Sequence, residues 1–238
     1  MRKIIASTFM SVDGVMQAPG GPEEDKQGGF RHGGWQAALW EDEIGTAVDE
    51  IFHDPFDLLL GRRTYDIFAA HWPFTPVDPA EKGYDEGMAE IALRFARITK
   101  YVATHDPDSL TWQGTEWLGE DPVATLRRLK RSEGPNLLIQ GSSDFVQTLL
   151  AHGLIDRYRL IVAPLVLGRG KRLFGTGTVP SSLTHLGTRT TPGGTVIVDY
   201  KPKGPVQIAS FEMETPTPEE FARREKMAAE SIGEAPGA

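Results

Sequence analysis

The segment Leu58-Leu59-Leu60-Gly61-Arg62-Arg63-Thr64-Tyr65 runs three leucines into a glycine, two arginines and a threonine. An apolar run this short, with a turn residue at its end, reads as a strand buried on both faces, as in a parallel sheet. Gly61 permits a tight turn, and a helix starts at once with an arginine and a hydroxyl in its first turn. Unpaired backbone N–H groups and the positive end of the helix dipole make such a junction receptive to phosphate, and Arg62 adds a permanent charge with bidentate geometry. The structural alternative stands beside it: Thr64 caps the helix and the arginines are solvated. A second junction of the same kind is Asn136-Leu137-Leu138-Ile139-Gln140-Gly141-Ser142-Ser143-Asp144-Phe145. There Gly141 allows close approach of a pyrophosphate to the backbone, while Ser142 or Ser143 is also a competent helix cap.

Working outward, residues 3–9, 100–104 and 158–163 are further apolar runs bounded by Gly, Pro or Asp, and helical spacing fills the intervals between strands. Strand alternating with helix predicts an α/β fold with a central, mainly parallel sheet and helices on both faces. After Ala163 the pattern changes. Residues 183–186, 195–200 and 206–213 read as strands joined by Gly/Pro turns, an antiparallel edge. Residues 19–34 hold six glycines and two prolines and read as a long mobile loop. Residues 217–231 have helix-forming composition. The expected division is a domain over 1–203 and a C-terminal strand plus acidic helical tail over 204–238.

Composition narrows the classes. The chain has 238 residues, a formal charge of −8 and no cysteine, which excludes disulfides, thiol nucleophiles and Cys-type zinc sites. Net acidity argues against a nucleic-acid groove, and no apolar run is long enough for a membrane helix. The amino-terminal apolar stretch is too short for a signal peptide, so the expectation is a cytoplasmic protein. From Pro205 onward seven acidic residues face three basic ones, so half of the net charge lies in the tail. The six histidines show no metal-ligand spacing, and no metal is expected.

Two more elements complete the motif set: Ser11-Val12-Asp13-Gly14 after the first strand, and Pro164-Leu165-Val166-Leu167-Gly168-Arg169-Gly170-Lys171-Arg172-Leu173-Phe174. Taken with Leu-Gly-Arg-Arg-Thr-Tyr and Ile-Gln-Gly-Ser, in this order, they resemble the RibD C-terminal domain family, which shares the dihydrofolate reductase fold. The resemblance runs from about Arg2 to Pro202. It implies an NADPH-binding reductase domain, commonly a homodimer, acting on a small-molecule substrate. By that resemblance Gly61, Arg62 and Thr64 match the Gly-Arg-x-Thr stretch that contacts cofactor phosphates, and Thr104 matches a hydroxyl near the 2′-phosphate. Gly141 and Ser142 fall on the turn over the pyrophosphate, where Gln140-Gly141 replaces the usual two glycines. Asp13, Gly14, Leu60, Ser143 and Phe145 complete the expected cofactor contacts. For the substrate the candidates are Phe9, Trp35, Trp40, Arg169 and Lys171. Trp35, Trp40 and Trp72 stack a planar heterocycle or else belong to the core. Glu41, Asp42 and Glu43 are candidates for the proton-handling acid, and equally suit the first turn of a helix. The expectation is hydride transfer to a C=N or C=O of a pterin- or aminopyrimidine-like compound. The rivals are a true dihydrofolate reductase and an NADPH-binding sensor without turnover.

Overall fold

Period-two alternation in the apolar runs sorts the core onto two faces of one sheet. The computed structural model describes residues 1–176, 178–211 and 215–233. Its strands are β1 (Ile4–Ser11), β2 (Phe56–Gly61), β3 (Lys100–Ala103), β4 (Thr115–Trp117), β5 (Asn136–Ile139), β6 (Arg157–Ala163), β7 (Ser182–Thr190) and β8 (Val196–Gly204). The helices are α1 (Asp42–His53), α2 (Arg62–His71), α3 (Glu86–Arg97), α4 (Pro122–Arg131), α5 (Ser143–Ala151) and α6 (Pro218–Gly233). The strand order is β4-β3-β2-β5-β1-β6-β8-β7. Every pairing from β4 to β6 is parallel, whereas β8 pairs antiparallel with β6 and β7 antiparallel with β8.

Leu58 and Leu60 of β2 point to the same side as Leu138 and Val102, where Phe52 of α1, Tyr65 of α2 and Phe95 of α3 cover them. Leu59, Leu137, Ile139, Ile4 and Ala6 point to the other, under Leu126 of α4 and Phe145, Val146 and Leu149 of α5. All three leucines of β2 are fully buried, and each such side chain stabilises by about 1.5–3 kcal/mol relative to exposure. The chain moves from β1 to β2 in one direction and from β5 to β6 in the other. With right-handed crossovers, that reversal puts α1 and α5 on opposite faces.

Two expectations need correction. No strand forms over residues 206–211, where Ile208 and Phe211 are exposed, and the remainder of the predicted strand, 212–213, lies outside the described residues. Alternating apolar residues alone do not make a strand; they need a neighbour for their backbone hydrogen bonds. The glycine-rich segment 19–34, read as mobile, is tied down. Its Asp25 carboxylate accepts from Lys171 Nζ at 2.9 Å and from the Gln27 N–H at 2.9 Å, and Phe30 is buried. By contacts the chain divides into Met1–Pro205, which contains the whole sheet, and Val206–Ala238, which contains α6.

Candidate active site

The reversal of direction makes a topological switch point at the carboxyl ends of β2 and β5, because the chain leaves β2 toward one face and β5 toward the other. In open α/β sheets this is where ligands bind. The two glycine junctions of the sequence meet there. The Gly61 N–H, at the end of β2, donates to Ser142 Oγ, at the start of α5, at 2.7 Å. A Cβ on Gly61 would lie 2.8 Å from Ser142 Cβ and 3.1 Å from Phe145 Cβ, and one on Gly141 would lie 3.0 Å from Thr64 Oγ1. Both glycines are therefore required by close approach. Ser142 adopts φ 67°, a left-handed conformation costing a non-glycine residue about 1–2 kcal/mol, and its bond to Gly61 holds it there.

The helix starts are capped unequally, and α1, α2 and α5 have no side-chain cap. Asp85 caps α3 by accepting from the Met88 N–H, and Asp121 caps α4 by accepting from the Ala124 N–H, both at 2.9 Å. Neither α2, which begins after Gly61, nor α5, which begins after Ser142, has a side-chain cap. Ser142 does not cap α5, since its hydroxyl accepts from the other junction. Two neighbouring helix starts, joined through Gly61 and Ser142, thus carry first-turn N–H groups without a side-chain cap and positive dipole ends.

Arg62 brings in the end of β3. Its Nη1 donates to Thr104 Oγ1 at 3.4 Å, to the Asp106 carbonyl at 3.3 Å and to Ser109 Oγ. Its Nε is bound by the Asp66 carboxylate at 2.8 and 3.0 Å. Arg62 and Thr104 are thus gathered at one place, with Asp66, Asp106 and Ser109 added, while the Thr64 side chain lies against Gly141. Asp66 stands four residues after Arg62 on α2, a spacing visible in the sequence; Asp106 and Ser109 arrive through the fold of the loop after β3.

Other candidate residues have their atoms committed. Asp13 accepts from Ser11 Oγ at 2.6 Å, from the Leu167 and Gly168 N–H groups and from Arg172, which fastens the loop after β1 to the loop after β6. The Ser11 hydroxyl, outweighing a smaller desolvation, and the two backbone N–H groups lower its carboxyl pKa to about 2. Gly14 takes a positive φ in the same turn. Glu41 accepts from the Gly193 N–H at 2.7 Å and from Thr191 Oγ1, so it ties α1 to the β7–β8 turn. Asp42 and Glu43 are exposed on the first turn of α1. Leu60 and Ser143 are buried in the frame, and Gln140 is half-buried.

Among the aromatic candidates, Trp35 is buried and donates its indole N–H to the Gln17 carbonyl at 2.9 Å. Trp72 packs on Phe68 and Phe95 in the core. Trp40, by contrast, is exposed and lies against Phe9 with ring centroids 6.3 Å apart. Arg169 and Lys171 line a surface hollow with Gln17, Gln27 and Phe30. Sequence reading missed Asp25, which sits buried between Lys171 and Arg63. Another hollow, at the amino ends of the strands, includes Glu50, Asn136 and Arg159. Its charges pair with one another and with Asp199, as in the Arg159–Asp199 contact at 2.7 Å. Among the described residues no cluster of three or more His, Asp or Glu is placed to hold a metal ion. No helix among them is long and apolar enough to cross a membrane.

The family model of the RibD C-terminal domain matches residues 2–197. The chain belongs to the RibD C-terminal domain family. Within the curated proteins, this RibD C-terminal domain chain is 23% identical over 199 residues to the uncharacterized protein YyaP of Bacillus subtilis (strain 168), covering 84% of this chain and 94% of YyaP. Its fold is similar to that of a putative riboflavin biosynthesis protein from Shewanella sp. PV-4, with a TM-score of 0.58 and 18% identity over 84% of this chain and 99% of that one. It is also similar to a Thermotoga maritima diaminohydroxyphosphoribosylaminopyrimidine deaminase/5-amino-6-(5-phosphoribosylamino)uracil reductase. There the TM-score is 0.52 and the identity 13%, covering 85% of this chain and 57% of that one.

Proposed function

We propose that this chain is an NADPH-dependent reductase that passes hydride to a C=N or C=O group of a small heterocycle of the pterin or aminopyrimidine kind. The observation that carries the reading is the hydrogen bond between Gly61 and Ser142, which joins two uncapped helix starts at the switch point beside Arg62 and Thr104. A dinucleotide fits this frame. The glycines let the two junctions pack together, so that the first-turn N–H groups of α2 and α5 are brought near one pyrophosphate, and Arg62 with Thr104 takes the phosphate on the ribose. When bound, the cofactor supplies the hydride from its dihydronicotinamide ring. The protein supplies orientation. The exposed Trp40, backed by Phe9, is a platform for a planar ring, and the Glu41 tether fixes the start of α1 behind it. Glu41 is committed to Thr191 and Gly193, so the proton comes from water or from the exposed Asp42 or Glu43. The similarity in fold to the Thermotoga deaminase/reductase supports the reaction class. A cytoplasmic homodimer is part of the same reading, to be tested by sedimentation.

Thermal unfolding with and without NADPH tests it. At a hundred times its dissociation constant the nucleotide stabilises by about 2.7 kcal/mol, a rise of about 5–11 °C for a chain this size. Arg62→Ala should shrink the rise. Oxidation of NADPH with a panel of imines and carbonyls then separates a reductase from a sensor. No shift with any pyridine nucleotide would remove the reading.

A further inference from the structure

Arg62, the cation set for the ribose phosphate, is not a free charge. Its Nε is held by both oxygens of Asp66, and the Asp106 carboxylate lies 3.7 Å from Nη1 on the other side. The surrounding polar atoms close on themselves. The Asp106 N–H donates to Thr104 Oγ1 at 3.1 Å, and Ser109 Oγ donates to the Asp106 carbonyl at 2.7 Å. The guanidinium and its two carboxylates sum to −1. Helix stability does not explain the arrangement. A cation in the first turn and an anion four residues on is the unfavourable order for the dipole, and α2 has no acid in its first turn.

An arginine at the ribose accommodates a 2′-phosphate, whereas a carboxylate there accepts from the 2′-hydroxyl of the unphosphorylated cofactor. This chain has both in one network. A doubly charged phosphate reaching Nη2 meets two carboxylates beyond the same guanidinium, but a hydroxyl meets acceptors. Resting on the dinucleotide reading above, we infer that Asp66 and Asp106 are specificity-determining residues that hold down affinity for NADPH, so that the site accepts NADH as well. Both acids are more than half exposed, so solvent and salt screen the effect, and it is modest in size.

The test is direct titration of the full chain with NADPH and with NADH, at low and at physiological ionic strength, in wild type, Asp106→Asn and Asp66→Asn. The expected result is dissociation constants within about tenfold of each other in wild type. Either substitution should tighten NADPH by about two- to tenfold at low salt, with a smaller gain at high salt and NADH no tighter. Far-UV circular dichroism and a cooperative thermal melt show that the variants are folded. A wild type that prefers NADPH by more than about a hundredfold (about 2.8 kcal/mol), or a ratio unmoved in both variants, overturns the inference and leaves the dinucleotide reading standing. Failure of both nucleotides to bind the wild type overturns that reading, and this one with it.

Discussion

Replacing Lys100 by methionine should change how stability depends on pH, by an amount set by its surroundings. Lys100 opens β3 and has no solvent exposure. Its Nζ donates to the Gln113 carbonyl at 2.9 Å and lies 4.6 Å from the centre of the Trp112 ring. The acid that favours its charge, Asp57, is already bonded to Arg2 at 2.5 Å. Burial therefore dominates and pulls its pKa from 10.5 down to about 8. A folded value below the unfolded one means that folding favours the neutral amine. Below about pH 8 the wild type carries the whole cost of burying the charge, and as pH rises to 10.5 that cost disappears. At 1.36 kcal/mol per unit the span is about 3 kcal/mol. The assay is urea unfolding of wild type and Lys100→Met from pH 7 to pH 10.5. The methionine variant should be close to or above the wild type in stability at neutral pH, with the wild type gaining about 3 kcal/mol on it across the window. Parallel stability curves, or a gain in the opposite direction, would refute the reasoning.

Two further perturbations probe the site and its cover. Gly61→Ala places a methyl 2.8 Å from Ser142 Cβ, which the left-handed Ser142 has little freedom to avoid. It should destabilise by about 1–3 kcal/mol and lower the melting temperature by about 2–12 °C, with nucleotide protection lost; an unchanged melt would show that the junctions do not pack as described. Asp25→Asn leaves Lys171 and Arg63 without their acid and should cost about 1–3 kcal/mol, with faster tryptic cleavage after Lys26 and Arg31. Desolvation pushes the Asp25 carboxyl up, but Lys171, the Gln27 N–H and Arg63 together outweigh it and hold it below the usual range. Its contribution is therefore present above the ordinary carboxylate pKa and fades as pH falls through the lowered value, a slope the variant should lack.

The central sheet was legible because parallel strands covered on both faces leave unbroken apolar runs, and Leu58, Leu59 and Leu60 could hardly read otherwise. The junctions were legible because glycine at the end of such a run has few other uses. Arg62 and Thr104, far apart in sequence, were placed together by family resemblance. Asp106, Ser109 and Asp25 were not legible, since each acts through a loop whose path depends on the finished fold. The three residues of β4 are too few for any period to show. Residues 206–211 erred the other way, with a strand-like pattern and no ladder to join. Trp35 and Trp40 look alike in sequence; only burial separates the indole bonded to Gln17 from the one left exposed.

The bare starts of α2 and α5 have a consequence for the life of the protein. The chain caps α3 and α4 with its own aspartates, but the starts of α2 and α5, which meet at Gly61 and Ser142, have no side-chain cap. On the reading proposed above, a bound dinucleotide would act as the missing cap of both helices and become a component of the fold. Amide hydrogen exchange at Ser143, Asp144 and Phe145 should slow on binding together with that at Arg62 to Thr64. In a cell, the abundance of the chain should follow the supply of its nucleotide, with the ligand-free form the first to reach the proteases.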